Sequence, residues 1–342
     1  MKNFVRVVVL LLFISCQSRE SRMQQFLLKG NLASKEKNWQ QAQNYYEEAL
    51  KFNDCFADAW NNIGTVYFEQ KKYEQALASY DKALTCDPHF LEARINRANA
   101  AYELKEYYRS IDDLEKVIAS KPDTAIAYFT LGLNYTRLRE FNKALQVFYQ
   151  AQQITGSDKR MKMEALVNHA IVRYYLRQYD SAKNELHRAA KFNDREPNIY
   201  NTLSLIETDL GHYKEALNLI NEAIRLDPKQ SYFVNNRGYI YLMQNELTLA
   251  ESDINESISA DPDNAWAYRN KGIFHLMKNE PELAERLLTQ ALKRDPFIDK
   301  IHYYLGLAYL KNGKKELACQ SFKKSKEAQD HLLTPDLLKN CK

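Results

Sequence analysis

The chain has 342 residues and a net charge of only +4, which gives no electrostatic footprint for nucleic acid. Nine Gly and eight Pro are few, and 23 Tyr are many, so the composition favours helices over a turn-rich β architecture. No apolar run of the sequence approaches the length that crosses a bilayer.

The N-terminus has the pattern of an export signal. Lys2 and Arg6 precede an apolar run over residues 7–14, which ends on Ser15 and Cys16. The order Phe13-Ile14-Ser15-Cys16 resembles the lipobox of bacterial lipoprotein signals, where the Cys thiol carries a diacylglyceryl group. The resemblance implies a signal peptide over residues 1–15, a lipid on Cys16 and a polar tether to residue 22. The alternative is a cytosolic protein with a buried apolar N-terminal strand.

The residue after Cys16 bears on location. It is Gln17, not the Asp that retains lipoproteins in the inner membrane of some bacteria. The resemblance therefore implies a lipid-anchored protein of the cell envelope. In a cell with two membranes we expect it at the outer membrane, facing the periplasm.

An internal repeat of 34 residues follows. Rows that begin at residues 23, 57, 91, 125, 163, 197, 231, 265 and 299 align two positions where every row has a small residue. Position 8 is Gly30, Gly64, Ala98, Gly132, Ala170, Ser204, Gly238, Gly272 and Gly306. Position 20 is Ala42, Ala76, Ser110, Ala144, Ala182, Ala216, Ala250, Ala284 and Ala318. Helices approach closely only where such side chains are small, so both positions predict contacts between paired helices.

Other repeat positions predict helix ends and the filling between helices. Large residues recur at position 24, as in Tyr46, Tyr80, Phe148 and Phe322. A Pro at position 32 ends the second helix of each pair in five rows. Between the two helices stand residues suited to a left-handed turn, namely Gly211, Asn245, Asn279 and Gly313.

These features together resemble the tetratricopeptide repeat family. The second row carries the family positions as Trp60, Gly64, Tyr67, Ala76, Tyr80, Ala83 and Pro88. The resemblance implies an all-α fold, a right-handed superhelical solenoid of nine helix pairs over residues 23–332. Thr334 and Pro335 predict the start of a capping helix in the tail, residues 333–342. Four additional residues between repeats four and five form either a slack linker or a kink in the superhelix.

In this family the first helix of each pair lines a concave groove, which implies a protein or peptide partner. The lining is polar and acidic in repeats two and three and becomes more aromatic from repeat four. An apolar groove with aromatic anchors suits an extended or helical peptide. In the alternative, part of this stripe packs against the neighbouring repeat. The candidate binding residues are Asn61, Phe129, Tyr174, Tyr175, Asn201, Tyr232, Asn235, Tyr239, Trp266, Arg269 and Tyr303.

Catalytic and metal-binding patterns do not occur in the sequence. Its seven His residues have no ligand spacing, and no phosphate loop or nucleophile motif appears, so no enzyme activity, cofactor or metal is predicted. Cys319 and Cys341 form a candidate disulfide that pins the tail. Cys55 and Cys86 lie in adjacent repeats and are expected to be too far apart for a bond.

The sequence thus predicts a non-catalytic scaffold, anchored to the membrane by lipid, that binds a protein or peptide in its groove. One alternative is an envelope enzyme or glycan-binding protein whose site combines residues distant in sequence. Another is self-association through the groove or the terminal repeats.

Overall fold

The protein is helical throughout the part of the chain that the structure describes. The computed structural model describes residues 2–156, 158–328, 330–339 and 341, with side chains from residue 19 onward. These residues form nineteen α-helices and no strand. The predicted all-α fold of helix pairs is confirmed. The chain divides into two compact units, unit 1 over residues 1–156 and unit 2 over residues 157–342.

Unit 1 consists of four helix pairs. In each pair the second helix packs on the first, and the first helix of the next pair packs on that second helix. The helices are α1 (Lys2–Lys35), α2 (Trp39–Leu50), α3 (Ala57–Glu69), α4 (Tyr73–Cys86), α5 (Leu91–Glu103), α6 (Tyr107–Ser120), α7 (Ala125–Arg137) and α8 (Phe141–Ile154).

The N-terminal predictions concern helix α1. Residues 17–22, predicted as a polar tether, belong to this helix. The side chains of the predicted signal peptide and of Cys16 lie outside the described residues. Among the described residues, no helix combines the length and the apolar character that a membrane span needs.

Unit 2 continues the same pairing and ends in a short tail helix. The helices are α9 (Lys159–Tyr175), α10 (Tyr179–Ala190), α11 (Pro197–Asp209), α12 (Tyr213–Leu226), α13 (Ser231–Met243), α14 (Leu247–Ala260), α15 (Ala265–Met277), α16 (Pro281–Arg294), α17 (Ile301–Lys311), α18 (Lys315–Glu327) and α19 (Pro335–Lys339). Helix α19 starts at the predicted Pro335 and packs on α18.

The four additional residues between repeats four and five lengthen a helix. Helix α9 has 17 residues, whereas α7 and α11 have 13 each. The carboxylate of Asp158 caps its first turn by accepting a hydrogen bond from the Met161 N–H at 3.0 Å. The interpretation of these residues as a slack linker is therefore wrong, because most of them add one turn to α9.

A left-handed residue ends the first helix of every repeat. Gly211, Asn245, Asn279 and Gly313 have positive φ, as their residue types predict. The same repeat position is a Lys or Arg in the other five rows, and it also has positive φ there, in Lys37, Lys71, Lys105, Arg139 and Arg177. In the second repeat the N–H of Lys72 donates to the Tyr67 carbonyl at 2.9 Å, and that of Lys71 donates to the Phe68 carbonyl at 2.8 Å. This double hydrogen bond is the Schellman motif, so the motif and not the residue type sets the turn.

The two helices of a pair meet where the small residue of position 8 faces the large residue of position 24. The ring of Tyr80 lies against Gly64 so closely that a Cβ atom there would be 2.5 Å from the ring. Gly30, Gly132 and Gly306 are covered in the same way by Tyr46, Phe148 and Phe322. Each of these rings is buried, which stabilises the fold by about 1.5–3 kcal/mol per side chain.

Candidate partner-binding face

The first helices form a continuous layer within each unit. In unit 1, α1, α3, α5 and α7 contact one another in turn, and in unit 2 the same holds for α9, α11, α13, α15 and α17. The second helices show no such contacts with each other among the described residues. Each unit therefore curves with its first helices on the inside. We call the exposed side of this layer the inner-helix face; it is the surface on which the sequence predicts a partner.

Of the two candidate residues in unit 1, Asn61 is buried. It accepts a hydrogen bond from Asn96 Nδ2 at 3.0 Å, and its own amide donates to Glu92 Oε1 at 3.4 Å. The expectation that Asn61 points into an open groove is therefore wrong for the free chain, because the side chain joins adjacent repeats. Phe129 is half-buried and packs edge-on against Phe148, with ring centroids 5.8 Å apart.

Asparagine pairs link successive first helices in both units. Asn62 donates to Asn31 Oδ1 at 2.8 Å, and Asn236 donates to Asn201 Oδ1 at 2.7 Å. Asn201 is half-buried, so it stays accessible as a candidate binding residue. Asn235 is fully buried and accepts from Asn270 Nδ2 at 3.0 Å, so the expectation that it points into an open groove is wrong for the free chain.

Three more candidates in unit 2 lie in its interior. Tyr174, Tyr239 and Arg269 are each less than a tenth exposed, so the expectation that they point into an open groove is wrong for the free chain. The Arg269 guanidinium lies 4.6 Å from the ring of Trp266 and 5.3 Å from that of Tyr239. It donates to Asn270 Oδ1 and, at 3.0 Å, to the carbonyl of Asp299. Because the guanidinium lies between two rings, this side chain is excluded from solvent. The position of Arg269 in the repeat does not predict that burial.

Burial keeps the phenols of this interior neutral. It raises the pKa of Tyr239 to about 12, although the nearby Arg269 acts in the opposite direction. Burial also raises the pKa values of Tyr174 and Tyr304 well above the ordinary value of 10.0. The three side chains therefore act as uncharged packing and hydrogen-bonding groups near neutral pH.

The remaining candidates stay at the surface of unit 2. Tyr232 on α13 is 41% exposed, and Trp266 on α15 is half-buried beside it in the layer. Tyr303 on α17 and Tyr175 on α9 are half-buried and contact Tyr304 and Tyr174 at ring distances of 5.1 and 5.4 Å. These aromatic side chains are held by the interior and present an edge to solvent.

Sequence reasoning missed an ion pair inside unit 2. Lys300 Nζ lies 3.4 Å from Asp209 Oδ1 and 3.8 Å from Asp299 Oδ2. Lys300 and Asp209 are 91 residues apart, and no repeat position pairs them. No signal in the sequence identifies this contact.

In unit 1 the inner-helix face has a cavity of about 430 Å³ between the first two repeats. Asn31, Ser34, Lys35, Trp39, Tyr46, Asn62, Thr65 and Glu69 line it. This cavity combines polar side chains with the rings of Trp39 and Tyr46.

Both pairs of cysteines outside the signal are bonded. The Cys319–Cys341 disulfide joins α18 to the tail after α19, with an S–S distance of 2.04 Å. Cys55 and Cys86 also form a disulfide, and their Cα atoms are 5.2 Å apart. The expectation that these two residues are too distant is wrong, because the loop that precedes α3 lies beside the last residue of α4.

Several histidines pair with carboxylates. His169 Nδ1 lies 2.7 Å from Glu185 Oε2, and His275 Nδ1 lies 2.6 Å from Glu280 Oε2. Glu207 approaches both His212 and Lys183; these contacts outweigh burial, which acts in the opposite direction, and lower its pKa. Within the described residues no group of three or more His, Cys, Asp and Glu is placed to hold a metal ion.

Comparison with known families and structures gives consistent matches. Residues 57–90 match a family model described as "Tetratricopeptide repeat", and residues 95–159, 202–265 and 272–331 match a second model with that description. Together they cover more than half of the chain. No curated protein matches the sequence.

Among solved structures, the APC/C hetero-tetramer Cut9-Hcn1 matches with 17% identity and a TM-score of 0.59, over 88% of this chain and 59% of that chain. A tetratricopeptide repeat protein from Parabacteroides merdae is 20% identical, with a TM-score of 0.45 and coverage of 84% and 99%. The Pseudomonas aeruginosa protein pilF is 17% identical, with a TM-score of 0.49 and coverage of 62% and 94%. The likeness to the Cut9-Hcn1 structure shows a shared fold.

Proposed function

Because the chain belongs to the tetratricopeptide repeat family, whose members are in general non-catalytic scaffolds suited to protein–protein interaction, we propose that it holds a protein or peptide partner on its inner-helix face. The observation that carries this proposal is the row of partly exposed aromatic side chains on successive first helices of unit 2, Tyr232, Trp266 and Tyr303. Each is fixed at its base by the interior and open at its edge. Aromatic groups held in this way lose little conformational freedom on binding and supply most of the energy of many interfaces.

The same row indicates what kind of segment binds. Partly exposed rings favour apolar side chains on the partner, and the accessible amide of Asn201 offers a hydrogen bond to its backbone. An extended or helical segment that contacts several successive first helices fits this arrangement.

Alanine substitution tests the aromatic row. The double variant Tyr232→Ala/Trp266→Ala is expected to lose at least about tenfold in recovery of a crosslinked partner from cells, because truncating two anchors removes several kcal/mol. The matched control is Tyr108→Ala/Tyr149→Ala, which truncates two exposed rings on second helices. Circular dichroism verifies that both variants keep their helices. Equal recovery with the two variants would contradict the assignment of the face.

We further propose that the scaffold is attached through a lipid on Cys16 to the cell envelope, at the outer membrane and facing the periplasm. The N-terminal signal pattern supports this location. The two disulfides support it independently, since such bonds persist in oxidising compartments outside the cytoplasm.

The variant Cys16→Ala tests the attachment. It is expected to leave the signal unprocessed or to release the folded chain from membranes, and cell fractionation with a mass measurement of the N-terminus shows which. Normal cleavage of the signal peptide together with retention of the variant on membranes would contradict the lipid proposal.

A further inference from the structure

Lys300 connects two helix pairs that are not neighbours. It stands immediately before α17, and its partner Asp209 is the last residue of α11. The two helices are separated in the chain by α12 to α16. The contact between Lys300 Nζ and Asp209 Oδ1 therefore bridges first helices on the inner side of unit 2, beyond the nearest-neighbour contacts that hold a repeat array together.

Both charges of this bridge are removed from water. The side chain of Lys300 is 6% exposed and that of Asp209 is 11% exposed. The Lys300 ammonium also lies 6.0 Å from the ring centroid of Tyr239. An ammonium ion in such a place is tolerated only while its counter-charge stays in contact. If Lys300 and Asp209 separate, water must solvate both charged groups. Water reaches them only if the inner side of the unit opens.

The backbone at Lys300 is consistent with a residue held by its side chain. Its φ is 59° and its ψ is 8°, a left-handed conformation that costs energy for any residue with a Cβ atom. The other non-glycine residues with positive φ end first helices, where hydrogen bonds of the turn impose the conformation. Lys300 precedes a helix instead, and its backbone N–H donates no such bond.

We propose that Lys300 is a clasp that holds the inner side of unit 2 closed. With the clasp formed, Tyr174, Tyr239 and Arg269 are sealed in the interior, and only the edges of Tyr232, Trp266 and Tyr303 face outward. Release of Lys300 from Asp209 exposes the buried rings and enlarges the aromatic surface. This proposal rests on the proposed function only where it assigns the enlarged aromatic surface to partner binding. The clasp itself is a property of the free chain.

Hydrogen exchange of the purified full chain tests the clasp without any partner. Lys300→Met keeps the apolar stem and removes the charge. The amides of α11 and of the first turn of α17 are expected to exchange about tenfold faster or more, because the Asp209 carboxylate loses its counter-charge, while the Tyr179 hydroxyl still donates to it at 3.0 Å, and then draws water in. Exchange in unit 1 stays unchanged. The matched control is Lys311→Met, which replaces the lysine that ends α17, whose ammonium donates to Asn279 Oδ1 at the exposed surface, at 3.0 Å.

Equal exchange of α11 and α17 in the two variants would overturn the clasp. If Lys300→Met unfolds unit 2, the helicity of the double variant Asp209→Asn/Lys300→Met tests whether the ion pair is the closing contact. Recovery of helicity in the double variant supports the ion pair as the closing contact, and persistent loss overturns it. Because no partner takes part, failure of the clasp leaves the partner-binding proposal standing, and failure to capture a partner leaves the clasp standing.

Discussion

Asp113 shows what a single buried charge contributes in this fold. Its side chain is 1% exposed and lies on α6, where Arg97 Nη2 approaches it at 2.6 Å and Arg94 Nη1 at 3.3 Å. The hydrogen bond with Asp113 raises the pKa of Arg97, against the opposing effect of burial. The carboxylate joins α5 to α6, so its contacts hold one helix pair together.

Asp113→Ala is therefore expected to lower the free energy of unfolding of unit 1 by about 3 kcal/mol, because Arg94 loses its carboxylate partner and Arg97 keeps that of Asp81, at 2.8 Å. The neighbour Asp112 provides the control. It is 61% exposed and pairs with Lys116 at 2.5 Å on the surface. Asp112→Ala should cost less than about 1 kcal/mol. Urea titration followed by circular dichroism measures both, and similar losses would argue against the structural role of Asp113.

At the residue scale the sequence predicts which repeat position each residue occupies. It does not predict that residues at the same position differ in how exposed their side chains are. Position 5 holds Asn61, Asn201 and Asn235, and only Asn201 is accessible. An Asn of the next repeat donates to each of the three amides, so this contact does not account for the difference. Arg269 is buried because two rings enclose it, and the Lys300–Asp209 pair joins residues 91 apart. Such contacts follow from the stacking of repeats, which a pattern of residue types does not contain.

At the scale of the helix pair, the small residue and the large residue that face each other compensate in volume. Where position 8 is Gly, as in Gly64, position 24 is an aromatic ring in four of the six rows. Where position 8 is Ala or Ser, position 24 is the aliphatic Leu114, Leu186 or Ile220, and all three are fully buried. In seven of the nine rows the two residues therefore compensate in volume, as close packing requires, whereas Gly238 faces Ile254 and Gly272 faces Leu288.

Gly64→Ala is expected to destabilise unit 1 by about 1–3 kcal/mol, because the added Cβ atom would stand 2.5 Å from the buried Tyr80 ring. The second variant, Tyr80→Leu, leaves a cavity and is also destabilising. The double variant recreates the Ala98 and Leu114 combination of the next repeat, so it should be more stable than the sum of the two losses by about 1–3 kcal/mol. Thermal or urea unfolding of all four proteins gives this coupling. Strict additivity would show that the two positions do not share one space.

The starts of most first helices could be predicted from the sequence, because the same repeat position has similar residue types in every row. The predicted repeat starts at residues 57, 91, 125, 197, 231 and 265 are the first residues of α3, α5, α7, α11, α13 and α15. The extra turn of α9 could not be predicted from the sequence, since an insertion of four residues fits either a helix turn or a loop. The disulfide of Cys55 and Cys86 was missed for a related reason: it depends on how closely two loops at successive repeat junctions approach.

For the whole molecule, the repeat pattern predicts a scaffold, and each unit has its own inner-helix face. That of unit 1 has a cavity lined by Asn31, Asn62 and Glu69 among others, whereas that of unit 2 has partly exposed aromatic side chains over a buried interior. The location in the envelope and the lipid on Cys16 remain predictions from the signal pattern.

The central claim is that a partner binds across the first helices, and site-specific photo-crosslinking in cells tests it most directly. A photoreactive amino acid replaces Trp266 on the first helix α15 in one strain and Tyr149 on the second helix α8 in another. The account predicts a discrete crosslinked protein from position 266 and none from position 149, where the exposed ring lies on a second helix. Crosslinks from position 149 with none from position 266 would contradict it.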